Sequence, residues 1–145
     1  MGRRPRSDAD GTRRVILIDT SAWVEFLRDT GSPVCHEVSR LLAYDIAICD
    51  AVRMEVLAGA RDDTHLRNLR GLLARAAVLP TDPIDHEVAA GLHRACRRRG
   101  ETVRKLIDCL IGAVAARHET PILHADADFD TLARHTDVAV HAPTR

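Results

Sequence analysis

Five acidic side chains stand where ordinary packing does not explain them together. Asp19 directly follows the apolar run Val15-Ile16-Leu17-Ile18, and Asp126 follows Ile122-Leu123-His124, with Asp128 two residues further on. Asp108 interrupts Leu106-Ile107-Asp108-Cys109-Leu110-Ile111, and Glu55 interrupts Val52-Arg53-Met54-Glu55-Val56-Leu57. An ionised carboxylate beside a core costs several kcal/mol unless it is paired or coordinated. Small residues one helical turn away (Ala51 and Gly59 around Glu55, Gly112 after Asp108) are expected to leave a trough beside each carboxylate. Taken singly, each acid has a simpler use. Asp19 would cap a helix, Asp126 would serve a turn, Asp128 would cap the next helix, Glu55 would face solvent, and Asp108 would pair with Arg104 one turn earlier. A shared metal site accounts for all of them with one cause. Carboxylates about 5 Å apart repel by roughly 3 kcal/mol per pair at an effective dielectric near 20, and a hard divalent cation removes the conflict. Oxygen-only ligands favour Mg²⁺ or Mn²⁺ over Zn²⁺. Such ions generate hydroxide, hold a scissile phosphate and stabilise a departing oxygen, so the expected chemistry is phosphodiester hydrolysis.

The elements that must position these residues alternate in type. Short continuous apolar runs at Val15–Ile18, Ile46–Cys49, Ala77–Leu79, Ile122–His124 and Val138–Val140 read as buried strands. Helical spacing fills the intervals, over about 21–28, 33–43, 50–58, 63–75, 85–99, 105–117 and 129–134. Ser32 before Pro33 and Asp50 are natural N-caps, and Gly59 and Gly100 are natural stops. Strands without polar alternation, separated by helices, indicate a parallel sheet covered on both faces. Ligands of open parallel sheets bind beyond the C-terminal strand ends, where Asp19 and Asp126 fall. Residues 1–14 hold five arginines and almost nothing to bury; they read as a flexible N-terminal extension, with the domain spanning 15–145.

Composition narrows the function classes. With 21 basic and 21 acidic residues the net charge is +0, so a uniformly basic nucleic-acid coat is excluded while a local patch is not. Arg94, Arg97, Arg98, Arg99, Arg104 and Lys105 form such a patch near the end of the long helix, suited either to RNA phosphates or partner contacts, or to a helix C-terminus. Aromatic residues are only 3%, too few for a base-stacking platform. Trp23 and Phe26, three apart, suit core or a partner-binding groove, and the groove is favoured here. Cys35, Cys49, Cys96 and Cys109 form no CxxC pair and read as buried thiols in a reducing compartment. The eight histidines form no HExxH, and His124, just before Asp126, is read as a surface or structural residue rather than part of the site. No apolar run is long enough to span a bilayer, and the N-terminus lacks a secretory core; the expected location is cytoplasmic, without membrane association.

The strings Val15-Ile-Leu-Ile-Asp-Thr-Ser-Ala-Trp-Val-Glu-Phe-Leu27, Glu55-Val-Leu-Ala-Gly59, Gly100-Glu-Thr-Val-Arg104 with Asp108-Cys-Leu-Ile-Gly-Ala113, and Leu123-His-Ala-Asp-Ala-Asp-Phe129 resemble PIN-domain proteins, in particular the VapC toxins of type II toxin–antitoxin systems. The resemblance implies a three-layer α/β/α sandwich with a five-stranded parallel sheet. It implies a Mg²⁺- or Mn²⁺-dependent endoribonuclease that cuts structured RNA such as tRNA or rRNA. By position, Asp19, Glu55, Asp108 and Asp126 match the acidic metal quartet and Asp128 a nearby ligand position. Thr20 and Ser21 match the supporting hydroxyls. It further implies a homodimer, inhibition by a cognate VapB-type antitoxin, and operator DNA binding only through that antitoxin. Two departures stand out: the 14-residue extension, and Ile107, often polar in the family, which is expected to alter a hydrogen bond beside Asp108.

Two phosphoryl-transfer readings compete, each using Asp19: a phosphatase-like enzyme with Asp19 as nucleophile, and a receiver-like module with Asp19 as phosphoacceptor. The first wants a second acid two residues later, where Ser21 stands. The second clusters its acids at the first strand, whereas here they spread from Asp19 to Asp126.

Overall fold

The computed structural model describes residues 15–144; the proposed extension, 1–14, lies outside the described residues. Among these described residues, four strands form one parallel sheet: β1 (Ile16–Ile18), β2 (Ile46–Cys49), β3 (Ala77–Leu79) and β4 (Ile122–Leu123), in the order β3-β2-β1-β4. Register is fixed by Ile16 opposite Ile46, Leu17 opposite Ile122, and Ala47 opposite Ala77. Every residue of β1, β2 and β4 is buried. Because successive strand residues point to opposite faces, both faces of the sheet must be covered, as the apolar runs require. The chain moves from β1 through β2 to β3 on one side, then returns to place β4 on the other side of β1. The crossing point therefore lies at the C-terminal ends of β1 and β4.

Seven helices among the described residues supply the cover: α1 (Thr20–Leu27), α2 (Pro33–Leu41), α3 (Asp50–Ala58), α4 (Asp63–Leu73), α5 (Pro83–Arg98), α6 (Leu106–Arg117) and α7 (Ala127–His135). Ser32 caps α2 by accepting the Cys35 N–H, with Pro33 in the first turn. The helix expected from Asp85 starts at Pro83, because Asp82 and Asp85 form a reciprocal capping box. Asp50 is not the cap of α3: that position is Cys49, and Asp50 sits inside the first turn, where a negative charge is still favoured. Gly100 ends the α5 segment at φ +85°, a conformation that glycine adopts without penalty.

Three expectations are corrected by packing. The run Val138–Val140 contributes a single parallel bridge, Val140 with Ile122, rather than a full fifth strand. β4 is only two residues long and offers little edge to pair with. Gly112 leaves no trough for an ion; a side-chain carbon there would lie 3.1 Å from Val138 Cγ2 and 3.5 Å from Leu132 Cδ1, so its small size admits those residues to the core. Trp23 is completely buried and so is core rather than part of a partner groove, while Phe26, edge-to-face with it at 6.4 Å, is half-buried against that core. Ile107 packs against the core and lines an apolar recess with His86, Ala89 and Leu110. The four cysteines are buried and free, and no described helix is long and apolar enough to cross a membrane.

The end of the described chain is fastened by one buried acid. Glu37 on α2 accepts hydrogen bonds from Arg40 Nε (3.0 Å), His141 Nε2 (2.6 Å) and the Thr144 backbone N–H (3.2 Å). Burial opposes its ionisation, but the Arg40, His141 and Thr144 hydrogen bonds outweigh it and hold the carboxyl at about 2. A depressed carboxyl stabilises the fold above its unfolded pKa, and that contribution is lost as pH falls through the folded value. Glu37→Gln should therefore unfold about 2–3 kcal/mol more easily in urea at pH 7. The gap to the unaltered protein should shrink as pH drops from about 4.5 toward 2.

Candidate functional site

Three helix N-termini meet at the crossing point of the sheet, and each brings a carboxylate with it. Asp19, directly after β1, is the N-cap of α1; its Oδ2 accepts the Ser21 N–H (3.0 Å) and the Ser21 hydroxyl (2.6 Å). Asp126, after β4, is the N-cap of α7; its Oδ1 accepts the Asp128 N–H at 2.9 Å. Asp108 lies in the first turn of α6. The positive ends of the helix dipoles thus offset part of the charge that the acids concentrate. Asp126, rather than the expected Asp128, caps α7, because the helix begins at Ala127; capping by Asp19 and Asp126 still leaves one oxygen of each carboxylate for a shared site.

Asp108, Asp126 and Asp128 each offer an oxygen, and these oxygens lie within 4.8 Å of one another. Asp19 and Glu55 fall outside this tightest group but are electrostatically coupled to its neighbourhood: Asp19 feels Glu55, and Asp108 feels Asp19. Glu55, half-buried on α3, accepts a 2.7 Å hydrogen bond from Thr20 Oγ1. The Ser21 hydroxyl, besides binding Asp19, accepts the Ala125 N–H at 2.9 Å and so ties the end of β1 to the loop after β4. The two hydroxyls after Asp19 therefore orient two different acids.

The basic residues divide. Arg104 Nη2 lies 3.2 Å from Asp126 Oδ1 and its Nε 3.3 Å from Asp128 Oδ1. The Lys105 ammonium contacts Asp126 Oδ2 and stands 3.7 Å from Asp108 Oδ2. Asp128 also accepts the backbone N–H groups of Arg104 and Lys105, both at 3.0 Å. The expected Arg104–Asp108 pair does not form. Lys105, the residue before α6, is extended (φ −115°, ψ 117°), so Arg104 is off the helix and the one-turn spacing rule does not reach it. Arg97 and Arg98 are exposed at the end of α5, apart from this cluster. His124 is structural: its Nδ1 accepts the Asp126 N–H at 3.1 Å and its ring lies 5.3 Å from that of Phe129.

These surroundings split the acids electrostatically. Burial resists ionisation of Asp126, but Lys105 and the Asp128 N–H hold its carboxyl below the usual range; burial likewise resists that of Asp128, and the Arg104 N–H leads the contacts that hold it low. Burial pushes Asp19 up against the pull of Ser21, with Glu55 adding to the rise. Burial, then the Asp128 carboxylate and the Asp19 charge, push Asp108 up to about 8. Asp19 and Asp108, each 2% exposed, are also the acids that keep an oxygen without a hydrogen-bond partner: Asp19 Oδ1 and Asp108 Oδ2, both fully buried. Buried polar atoms of this kind call for an explanation. A set of carboxylate oxygens with two unsatisfied members fits a hard divalent cation and offers no sulfur for a softer one. Beside the acids, Thr20 and Glu55 line one end of a groove of about 440 Å³, walled by Val24, Leu27, Val56 and Leu69 with Arg61 and His65.

The acids thus gather where ligands of open parallel sheets bind, beyond the C-terminal ends of the strands. The PIN domain family matches residues 16–135. Ribonuclease VapC11 of Mycobacterium tuberculosis is 51% identical over 128 residues, spanning 86% of this chain and 96% of that protein. Among solved structures, FitAcB from Neisseria gonorrhoeae superposes with a TM-score of 0.69 at 22% identity, covering 89% of this chain and 98% of that one. VapBC2 from Rickettsia felis, bound to a promoter DNA fragment, gives 0.66 at 14% identity, covering 88% and 97%. These two likenesses speak for the fold. The chain belongs to the PIN-domain family and, within it, to the VapC ribonucleases.

The raised Asp108 carboxyl has a testable consequence. The folded protein keeps that proton over a range where the unfolded chain releases it, so the stability it confers is complete below the ordinary carboxylate pKa and lost as pH rises through about 8. With EDTA present, the melting temperature should fall between pH 5 and pH 8.5, by several degrees more than in Asp108→Asn, whose side chain does not titrate. Parallel melting curves for the two proteins would contradict this electrostatic picture.

Proposed function

We propose that this protein is a Mg²⁺- or Mn²⁺-dependent endoribonuclease acting as the toxin of a VapBC-type pair, with residues 15–145 as its catalytic domain. The observation that carries the reading is the pair of buried, unpartnered oxygens, Asp19 Oδ1 and Asp108 Oδ2, beside the Asp126–Asp128 carboxylates. Asp19, Asp108 and Asp126 would hold the ion, with Glu55 and Asp128 completing or orienting the set. When bound, the ion supplies Lewis-acid stabilisation of a phosphodiester and a water made acidic enough to act as hydroxide. The chain's own groups do the positioning. Ser21 and Thr20 fix the Asp19 and Glu55 carboxylates, Asp126 caps α7, and Asp128 holds the Arg104–Lys105 backbone against that helix. Arg104 and Lys105, with exposed flanks, meet the phosphates that an acidic centre would otherwise repel; Arg97 and Arg98 extend that positive surface along α5.

RNA as substrate is supported by membership among proteins named ribonucleases. Structured RNA, tRNA or rRNA, suits a surface with few aromatic residues. The phosphatase-like and receiver-like alternatives are disfavoured, because Asp19 Oδ2 is engaged by the Ser21 N–H and hydroxyl and Oδ1 is buried, which leaves neither oxygen open to attack a phosphoryl group. The groove lined by Glu55 and Leu69 suits an antitoxin segment that would close the acidic site, and the structural neighbour VapBC2 was solved bound to a fragment of its promoter DNA. Operator binding would come through that antitoxin. An apolar strip on α5 and the start of α6, with Ile84, Val88 and Leu106 all more than two-fifths exposed, suits a homodimer. The location is taken as cytoplasmic, without a membrane role.

Asp19→Asn and Asp108→Asn should each lower cleavage of total RNA more than roughly hundredfold while melting no lower than the unaltered protein in EDTA. EDTA should stop cleavage and Mn²⁺ or Mg²⁺ restore it. Full cleavage by either variant, or indifference to chelation, would overturn the assignment. Leu106→Glu should shift sedimentation from dimer to monomer; an unchanged sedimentation coefficient would count against that interface.

A further inference from the structure

The segment from Gly100 to Lys105 is held at both ends by α7, and this gives its two cations different freedoms. At one end Glu101 is gripped by Arg134, with Nε at 3.0 Å, and by His135 Nε2 at 2.6 Å. At the other end Asp128 accepts two successive backbone N–H groups, those of Arg104 and Lys105. The backbone is therefore fixed, whatever the side chains do. The Arg104 guanidinium is shared between Asp126 Oδ1 and Asp128 Oδ1, oxygens already engaged by backbone N–H groups. The Lys105 ammonium instead serves Asp126 Oδ2 and Asp108 Oδ2. Asp108 Oδ2 has no hydrogen bond, and Asp126 Oδ2 has none besides that of Lys105. Lys105 thus contacts the oxygens that a divalent ion would use, from a flexible stem whose side chain is 52% exposed.

Two cations cannot both sit at contact distance from the same two oxygens without strong repulsion. We propose that Lys105 is a displaceable cation built into the metal centre: its ammonium neutralises Asp126 and Asp108 when no divalent ion is bound, and it leaves them when one binds, so that Lys105 sets the metal affinity of the site. Arg104 keeps its place, because its contacts fall on oxygens that already accept backbone N–H groups. The arrangement lets four acids remain together in the ion-free protein at the expense of ion affinity. The inference rests on reading the acidic cluster as a metal centre.

The test uses the full chain and Mn²⁺ alone as probe, with free Mn²⁺ followed by electron paramagnetic resonance and binding heat by calorimetry. Lys105→Met should bind Mn²⁺ about tenfold more tightly than the unaltered protein at the same stoichiometry. Lys105→Arg, which keeps the charge, should stay within about threefold of the original affinity. In EDTA the methionine variant should melt lower, and saturating Mn²⁺ should raise its melting temperature by more than it raises that of the unaltered protein. Lys105→Gln provides the same comparison without an apolar side chain, should the methionine variant aggregate. Equal or weaker Mn²⁺ binding by the neutral variants overturns the proposal while leaving the metal centre standing. No Mn²⁺ binding by any of the four proteins overturns the metal centre itself, and the role of Lys105 with it.

Discussion

The repulsion among carboxylates drawn to one end of a parallel sheet is the constraint around which this molecule is organised. Asp19, Asp108, Asp126 and Asp128 are nearly inaccessible to solvent, and unscreened charges at such separations oppose folding by several kcal/mol. The fold answers in three ways. It sets the acids at the N-termini of α1, α6 and α7, where backbone N–H groups and helix dipoles favour negative charge. It supplies Arg104 and Lys105 to Asp126 and Asp128. It leaves Asp19 and Asp108 with raised carboxyls and spare oxygens. The first two devices stabilise the site as it stands, and the third gives it capacity for a ligand.

The rest of the architecture serves this convergence. The strand order β3-β2-β1-β4 places the ends of β1 and β4 side by side, and the Asp19 N–H donates to Leu123 O at 3.0 Å, carrying the pairing one residue past β1. Ser21 extends the link by accepting the Ala125 N–H. One hydroxyl thereby holds two loops at the spacing the acids need. The Glu101–Arg134–His135 cluster sits outside the acidic centre, yet it fixes the strand of chain from which Arg104 and Lys105 project. Membership of the VapC ribonucleases is consistent with this economy: a chain of 145 residues devotes the ends of three helices to a single centre.

Much of this was legible in local residue patterns. The continuous run Ile46–Cys49 could only be a strand covered on both faces, and Ser32-Pro33 could only begin a helix. Asp108 and Glu55 stood out because apolar helix segments rarely carry acids. What the chain order hid was long-range. The partners of Asp126 and Asp128 lie 21 to 24 residues away, and helical spacing pointed Arg104 at the wrong acid because the helix begins only after Lys105. Gly112 looked like room for an ion, and only the tertiary packing shows Val138 and Leu132 filling it. Trp23 and Phe26 share the spacing of a surface anchor, and the full burial of Trp23 depends on neighbours that no local pattern names. The run at Val138–Val140 had strand composition, but a two-residue β4 limited its pairing to one bridge.

Anomalous diffraction from crystals soaked in Mn²⁺ would test the central claim most directly. The account predicts a peak within about 2.0–2.2 Å of carboxylate oxygens of both Asp19 and Asp108. A fully soaked crystal with no peak there, or with its peak on acids elsewhere on the surface, would contradict it.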